Sequence, residues 1–149
     1  MTMKILRRLG AITLLVVGGV HLQQYLAGYS VVPTIGTLFV LNAIGAAAVA
    51  AGLLTPIERW LGERPAHLAT GALATVGAVI AVGSLIALFF SESQPLFGFM
   101  EDGYSTAIMI AIAAEVITTM LLVPVAIASL RTAASSARAP RLARPVSSH

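Results

Sequence analysis

An all-α integral membrane bundle of four helices is predicted by three observations on this 149-residue sequence. First, 58% of the residues are hydrophobic and only 10% charged, where an ordinary soluble domain carries about a quarter charged residues. Second, four apolar stretches, 9–29, 34–54, 68–90 and 105–130, each reach the ~20 residues that cross a ~30 Å hydrocarbon core. Third, all nine basic residues fall in the segments that flank these stretches at alternate ends. The mean hydropathy of +0.92 agrees. A soluble domain of this size leaves roughly 30% of its unfolded surface in water, and nine basic and six acidic side chains cannot coat that surface.

The elements follow in order. Lys4, Arg7 and Arg8 precede the first apolar run and imitate a secretory leader, but no A-x-A cleavage site follows, so the run reads as a retained first helix. Pro33 opens the second span and Pro56 closes it. Pro56-Ile57-Glu58-Arg59-Trp60-Leu61 reads as an amphipathic interfacial turn, with Pro65 standing before helix 3. Pro95, Gly98 and Gly103 punctuate the connection to helix 4. Within it, Gln94-Pro95-Leu96-Phe97-Gly98-Phe99-Met100 reads as a loop dipping into headgroups, with a protein docking surface as the alternative. Glu101 and Asp102 read as solvated loop charges. Two units result: a bundle over 1–130, and a disordered basic tail over 131–149 whose composition is Ala, Ser, Arg and Pro without apolar periodicity. Anionic lipid is the contact expected of that tail, at about 1 kcal/mol per nearby arginine.

Orientation comes from the charges. Lys4, Arg7 and Arg8 lie before helix 1, Arg59 and Arg64 between helices 2 and 3, and Arg131, Arg138, Arg141 and Arg144 after helix 4. The other two loops carry no basic residue, so the positive-inside rule puts both termini in the cytoplasm and the chain in a bacterial inner membrane. Tyr25, Tyr29, Phe97, Phe99 and Tyr104 then mark the outer interface and Trp60 the inner one.

Function classes narrow from the same residues. The absence of cysteine excludes disulfides, thiol redox chemistry, cysteine metal ligation and a lipobox anchor. The pI near 10.0 is not read as nucleic-acid binding, because the basic residues are dispersed over flanks and tail. Helix 3 carries Thr70, Ala74, Gly77, Ala81 and Ser84 at alternating spacings of four and three, a heptad seam of small residues. Such seams let membrane helices approach closely, so packing is the favoured reading and the wall of a ligand cavity the alternative.

Three polar side chains interrupt the spans: His21, Asn42 and Glu115. At 1.5 Å per residue they lie roughly 12, 13 and 16 Å below the outer boundary, in one layer. Each shares a helix face with small residues: Gly18 beside His21, Gly45 beside Asn42, and Ala111, Ala114 and Thr118 beside Glu115. An ionised carboxylate at mid-membrane costs at least about 2.5 kcal/mol, so Glu115 is neutral, paired or wetted. The functional readings are a proton site, a cation site or a polar hook for a quinone or lipid headgroup, with His21 as partner. The plainer reading is a hydrogen bond that keeps helices 1, 2 and 4 in register. A metal would require three or four ligands, and His67 belongs to the opposite membrane face from His21 and Glu115. Haem would find only His21 as an axial ligand. No nucleophile elbow or phosphate loop is present, and no cofactor is assigned.

The run Leu6-Arg7-Arg8-Leu9-Gly10 through Gly18-Gly19-Val20-His21, and Leu38-Phe39-Val40-Leu41-Asn42-Ala43-Ile44-Gly45 to Gly52-Leu53-Leu54, resembles the DoxX-like group of small four-helix bacterial membrane proteins. The resemblance covers helices 1 and 2. The Ala- and Arg-rich, Lys-poor usage is also similar to that of small integral membrane proteins of high-GC actinobacteria. It implies a four-helix fold and, from the group's partly described members, an accessory role beside oxidoreductases or in redox stress; no catalytic residue carries over. The leading expectation is therefore a non-enzymatic accessory or partner-binding subunit of an envelope complex, in contact with lipid and with a membrane protein partner or further copies of itself. The alternative is a small transporter or a quinone- or lipid-binding bundle built on His21, Asn42 and Glu115. For a transporter, four helices imply a homo-oligomer.

Overall fold

Backbone N–H and C=O groups in apolar surroundings must be satisfied within their own segment, which favours helices over any open arrangement. The computed structural model describes residues 2–100, 103 and 105–142, the last five by backbone alone. It contains four α-helices: α1 (Met3–Ala27), α2 (Pro33–Leu54), α3 (Glu63–Ser93) and α4 (Thr106–Leu142). All four are long and apolar enough to span a membrane. Their outward faces are as apolar as their inward ones: Ile44, Val79, Ile86 and Met120 are each more than 60% exposed. A four-helix, all-α membrane protein is the result.

The helices run alternately up and down, so the start of α1, the α2–α3 connection and the end of α4 share one end. We call this the terminal end, and the other the hairpin end. Around the bundle α1 packs against α2 and α4, and α3 against α4 and more thinly against α2. The shared core is small-residue and branched-aliphatic, with Leu14, Val17, Ala46, Ala50, Ala74 and Leu122 almost fully buried. Alanine and glycine let the helices approach closely, so packing replaces the hydrophobic drive that lipid does not supply.

Several boundaries differ from the sequence expectation. Helix α1 begins at Met3, so Lys4, Arg7 and Arg8 lie on the helix and not before it. Helix α3 begins at Glu63, with Pro65 inside its first turn, where an absent N–H removes a donor that would have no helical partner anyway. Helix α4 continues to Leu142, so 131–142 is helical where an unstructured tail was expected. Alanine, arginine and leucine there are strong helix formers, and Ala133 is buried at 1% exposure. Glu101, Asp102, Tyr104 and residues from 143 onward, Arg144 among them, lie outside the described residues, as do the side chains of Arg138 and Arg141.

At the terminal end, a 3-10 turn (Ile57–Arg59) and an 80%-exposed Trp60 occupy the segment expected as an interfacial turn. Arg7, itself buried, reaches from α1 to the Glu58 carboxylate on this turn. A backbone N–H at Glu58, and then the Arg7 guanidinium, hold that carboxyl below its ordinary range. The α1–α2 turn at the hairpin end opens on Gly28, whose φ of 148° favours glycine.

Candidate functional site: an intramembrane cavity

The small-residue seam comes first, because it fixes how closely the helices meet. Thr70, Ala74, Gly77 and Ala81 are buried on α3, and Ser84 is half-buried. A Cβ on Gly77 would stand 2.6 Å from Leu122 Cδ1 of α4 and 3.1 Å from Leu14 Cδ2 of α1. On the other side of the same leucine, a Cβ on Gly10 would stand 2.4 Å from Leu122 Cδ2. Leu122 is thus seated between two glycine notches, one on α1 and one on α3. Above it Thr118 donates to Thr13 Oγ1 at 2.9 Å, a second α4–α1 tie.

Toward the hairpin end the packing opens. His21, Asn42 and Glu115 lie roughly 9, 14 and 14 Å from the helix ends at Ala27, Pro33 and Thr106, counting 1.5 Å per residue. Glu115 is 98% buried and His21 91% buried. The His21 Nδ1–H donates to the Val17 carbonyl at 2.9 Å, since a carbonyl can only accept. That leaves Nε2 facing Glu115 Oε1 at 3.7 Å, in contact but beyond a formed hydrogen bond. Asn42 turns the other way, its Nδ2 donating to Ser84 Oγ on α3. The polar layer therefore sets α1 against α4 without a formed hydrogen bond and ties α2 to α3 with one, whereas the register reading grouped helices 1, 2 and 4. Among the described residues, buried Glu115 Oε2 and Asn42 Oδ1 have no hydrogen-bond partner.

These residues line a cavity of about 130 Å³. Its apolar walls come from all four helices, among them Val20, Phe39, Leu88 and Ala111, and Ser84 and Ser91 from α3 join the wall. Ser84 belongs both to the packing seam and to the cavity wall, the two roles the sequence posed as alternatives. The roof is a two-residue turn. Leu96 and Phe99 exchange backbone hydrogen bonds at 2.8 and 3.0 Å, while Phe97 and Gly98 between them both have positive φ, 52° and 81°. That is the mirror-image turn which brings two extended residues face to face. Leu96 and Phe99 consequently point onto the cavity, and Phe97 and Met100 point away, exposed. The loop expected to dip into headgroups is half roof and half exposed tip. An aromatic column runs from roof to floor: Phe99 meets Tyr29 at 5.5 Å, Tyr29 meets Phe39 at 5.0 Å, and Phe39 meets His21 edge-on at 5.2 Å.

The three polar residues singled out in the sequence line this cavity, and the residues of its roof were not singled out with them. Gly98 is a turn signal; that the turn closes over His21 required the tertiary structure. His67 sits in the first turns of α3, at the terminal end. Among the described residues no three His, Asp or Glu side chains come together as a metal site would need. The chain matches no family model, no curated protein and no solved structure.

Proposed function

We propose that this protein binds a small amphipathic molecule within the membrane, holding its polar head at Glu115 and His21 and its apolar body between the four helices. The observation that carries the reading is a 98%-buried carboxyl, one oxygen of which has no partner among the described residues, on the wall of a 130 Å³ cavity. Packing alone does not account for it, because a buried polar group without a partner costs about 1–3 kcal/mol. A ligand head recovers that cost, and the apolar wall supplies affinity by removing the ligand body from water. Quinone and lipid headgroups fall within this class. We further propose a bacterial inner membrane with both termini cytoplasmic, supported by the one-sided distribution of basic residues, and membership of the DoxX-like group, supported by the residues of helices 1 and 2.

The exposed tip formed by Phe97 and Met100 favours a second reading, an accessory subunit whose partner covers that tip. Copurification from native membrane separates the two. Mass spectrometry should find a released small molecule with the wild-type protein and not with Ala111→Phe, whose ring fills the cavity. A stoichiometric protein partner with no small molecule would favour the accessory subunit and reject the binding reading.

A further inference from the structure

Resting on that reading, we infer that the cavity takes a single-ring aromatic alcohol, a phenol-type molecule whose hydroxyl hydrogen is given to the His21–Glu115–Asn42 floor. Size sets the first limit. A cavity of about 130 Å³ is close to the ~150 Å³ engineered apolar cavity that admits one benzene ring. A steroid or an acyl chain would have to extend out of it.

Shape sets the second. Phe99, Phe39 and His21 line the cavity, and Tyr29 bridges the two phenylalanines, so the wall presents aromatic edges and faces, on which another ring packs favourably. A flat ring is the body that packs best on such a wall.

Hydrogen-bond accounting sets the third. On the floor, the two buried polar atoms of His21, Asn42 and Glu115 that lack a partner among the described residues are both oxygens, Asn42 Oδ1 and Glu115 Oε2. His21 gives its Nδ1 hydrogen to Val17, leaving Nε2 as a lone pair. Asn42 gives an amide hydrogen to Ser84, leaving Oδ1 buried and unpartnered. Glu115 leaves Oε2 buried and unpartnered. A neutral Glu115 brings one hydrogen of its own, which serves one of these acceptors and not the rest. Beside these oxygens and the His21 Nε2 lone pair stand the second Asn42 N–H and the Ser84 O–H, so the complement of the floor is a group that both gives and accepts a hydrogen bond. A hydroxyl does so without charge, and burying an ammonium on this apolar wall would carry the desolvation cost of an ion. A carbonyl or ether oxygen would accept but would leave Asn42 Oδ1 without a hydrogen.

The test is a binding series on the full chain in detergent: phenol, anisole, toluene and benzylamine, by calorimetry and by thermal shift. The Ala111→Phe variant, checked for helicity and monodispersity, measures partition into the micelle. Above that background phenol should bind about tenfold or more tightly than anisole and toluene. Equal binding of phenol, anisole and toluene would overturn the hydroxyl inference and leave the cavity reading standing. Tighter binding of anisole, or of benzylamine, would overturn it in favour of an acceptor-headed or cationic ligand. Binding of none above background, with the wild type folded, would reject the cavity reading as well.

Discussion

Adding a single methyl group at Gly77 tests how the bundle is held together. In Gly77→Ala the new carbon would sit 2.6 Å from Leu122 Cδ1, 3.1 Å from Leu14 Cδ2 and 3.4 Å from Val49 Cγ1, where carbon atoms prefer about 3.5–4.0 Å. Leu122 cannot retreat, since its other methyl already fills the notch at Gly10 and the side chain is fully buried. Overpacking of this kind costs about 1–3 kcal/mol, but alanine also gains up to about 1 kcal/mol of helix propensity over glycine. Gly83→Ala removes that ambiguity. It lies on the same helix with nothing within 4 Å of its would-be Cβ, so it carries the propensity gain without the clash. The difference between the two variants isolates the steric cost. At about 2–4 °C per kcal/mol for a chain of this size, Gly77→Ala should melt about 2–12 °C below Gly83→Ala in detergent. In a Leu122→Ala background the gap should close, because the neighbour that clashes is gone. Equal melting temperatures in the Leu122 background-free pair would refute close packing at the seam.

Other consequences are as direct. Because the Glu58 carboxyl is held below its ordinary range, its ionised form contributes stability that is present above that range and lost as pH falls through the lowered value. Glu58→Gln should therefore melt lower than wild type at neutral pH, and the two melting curves should converge in acid; a constant gap across pH would remove the Arg7–Glu58 tie from the account. For orientation, single cysteines replacing Ser30 and Ser105 should react with an impermeant maleimide on intact cells, and those replacing Leu61 and Ser136 only after permeabilisation. Labelling of Ser136→Cys on intact cells would reverse the proposed topology.

How much was legible in the sequence differs from element to element. The four spans were, because an apolar run long enough to cross lipid has few alternatives. Helix ends were less so: a polar first turn such as Glu63-Arg64-Pro65 reads as loop by hydropathy, yet proline is tolerated there. The extension of α4 past Leu130 was hidden for the same reason, since an Ala- and Arg-rich segment is both a disordered composition and a good helix. The depth of His21, Asn42 and Glu115 followed from counting residues. Their partners did not, because a helical wheel gives the face a residue occupies and not which neighbouring helix that face meets. Asn42 shows this most plainly: its partner is Ser84 on α3, assigned from sequence to the packing seam. Phe97 at positive φ was beyond reach, since nothing in its type predicts a left-handed conformation.

The central claim is that Glu115 is the floor of a ligand cavity, and its vibrational spectrum reads that carboxyl directly. Difference infrared spectra of the detergent-solubilised protein, with and without phenol, should show a shifted carboxyl or carboxylate stretch in wild type. That shift should vanish in Glu115→Gln, which assigns the band, and in Ala111→Phe, which blocks the cavity. A wild-type band that phenol leaves unmoved, or one that moves equally in Ala111→Phe, would contradict the account.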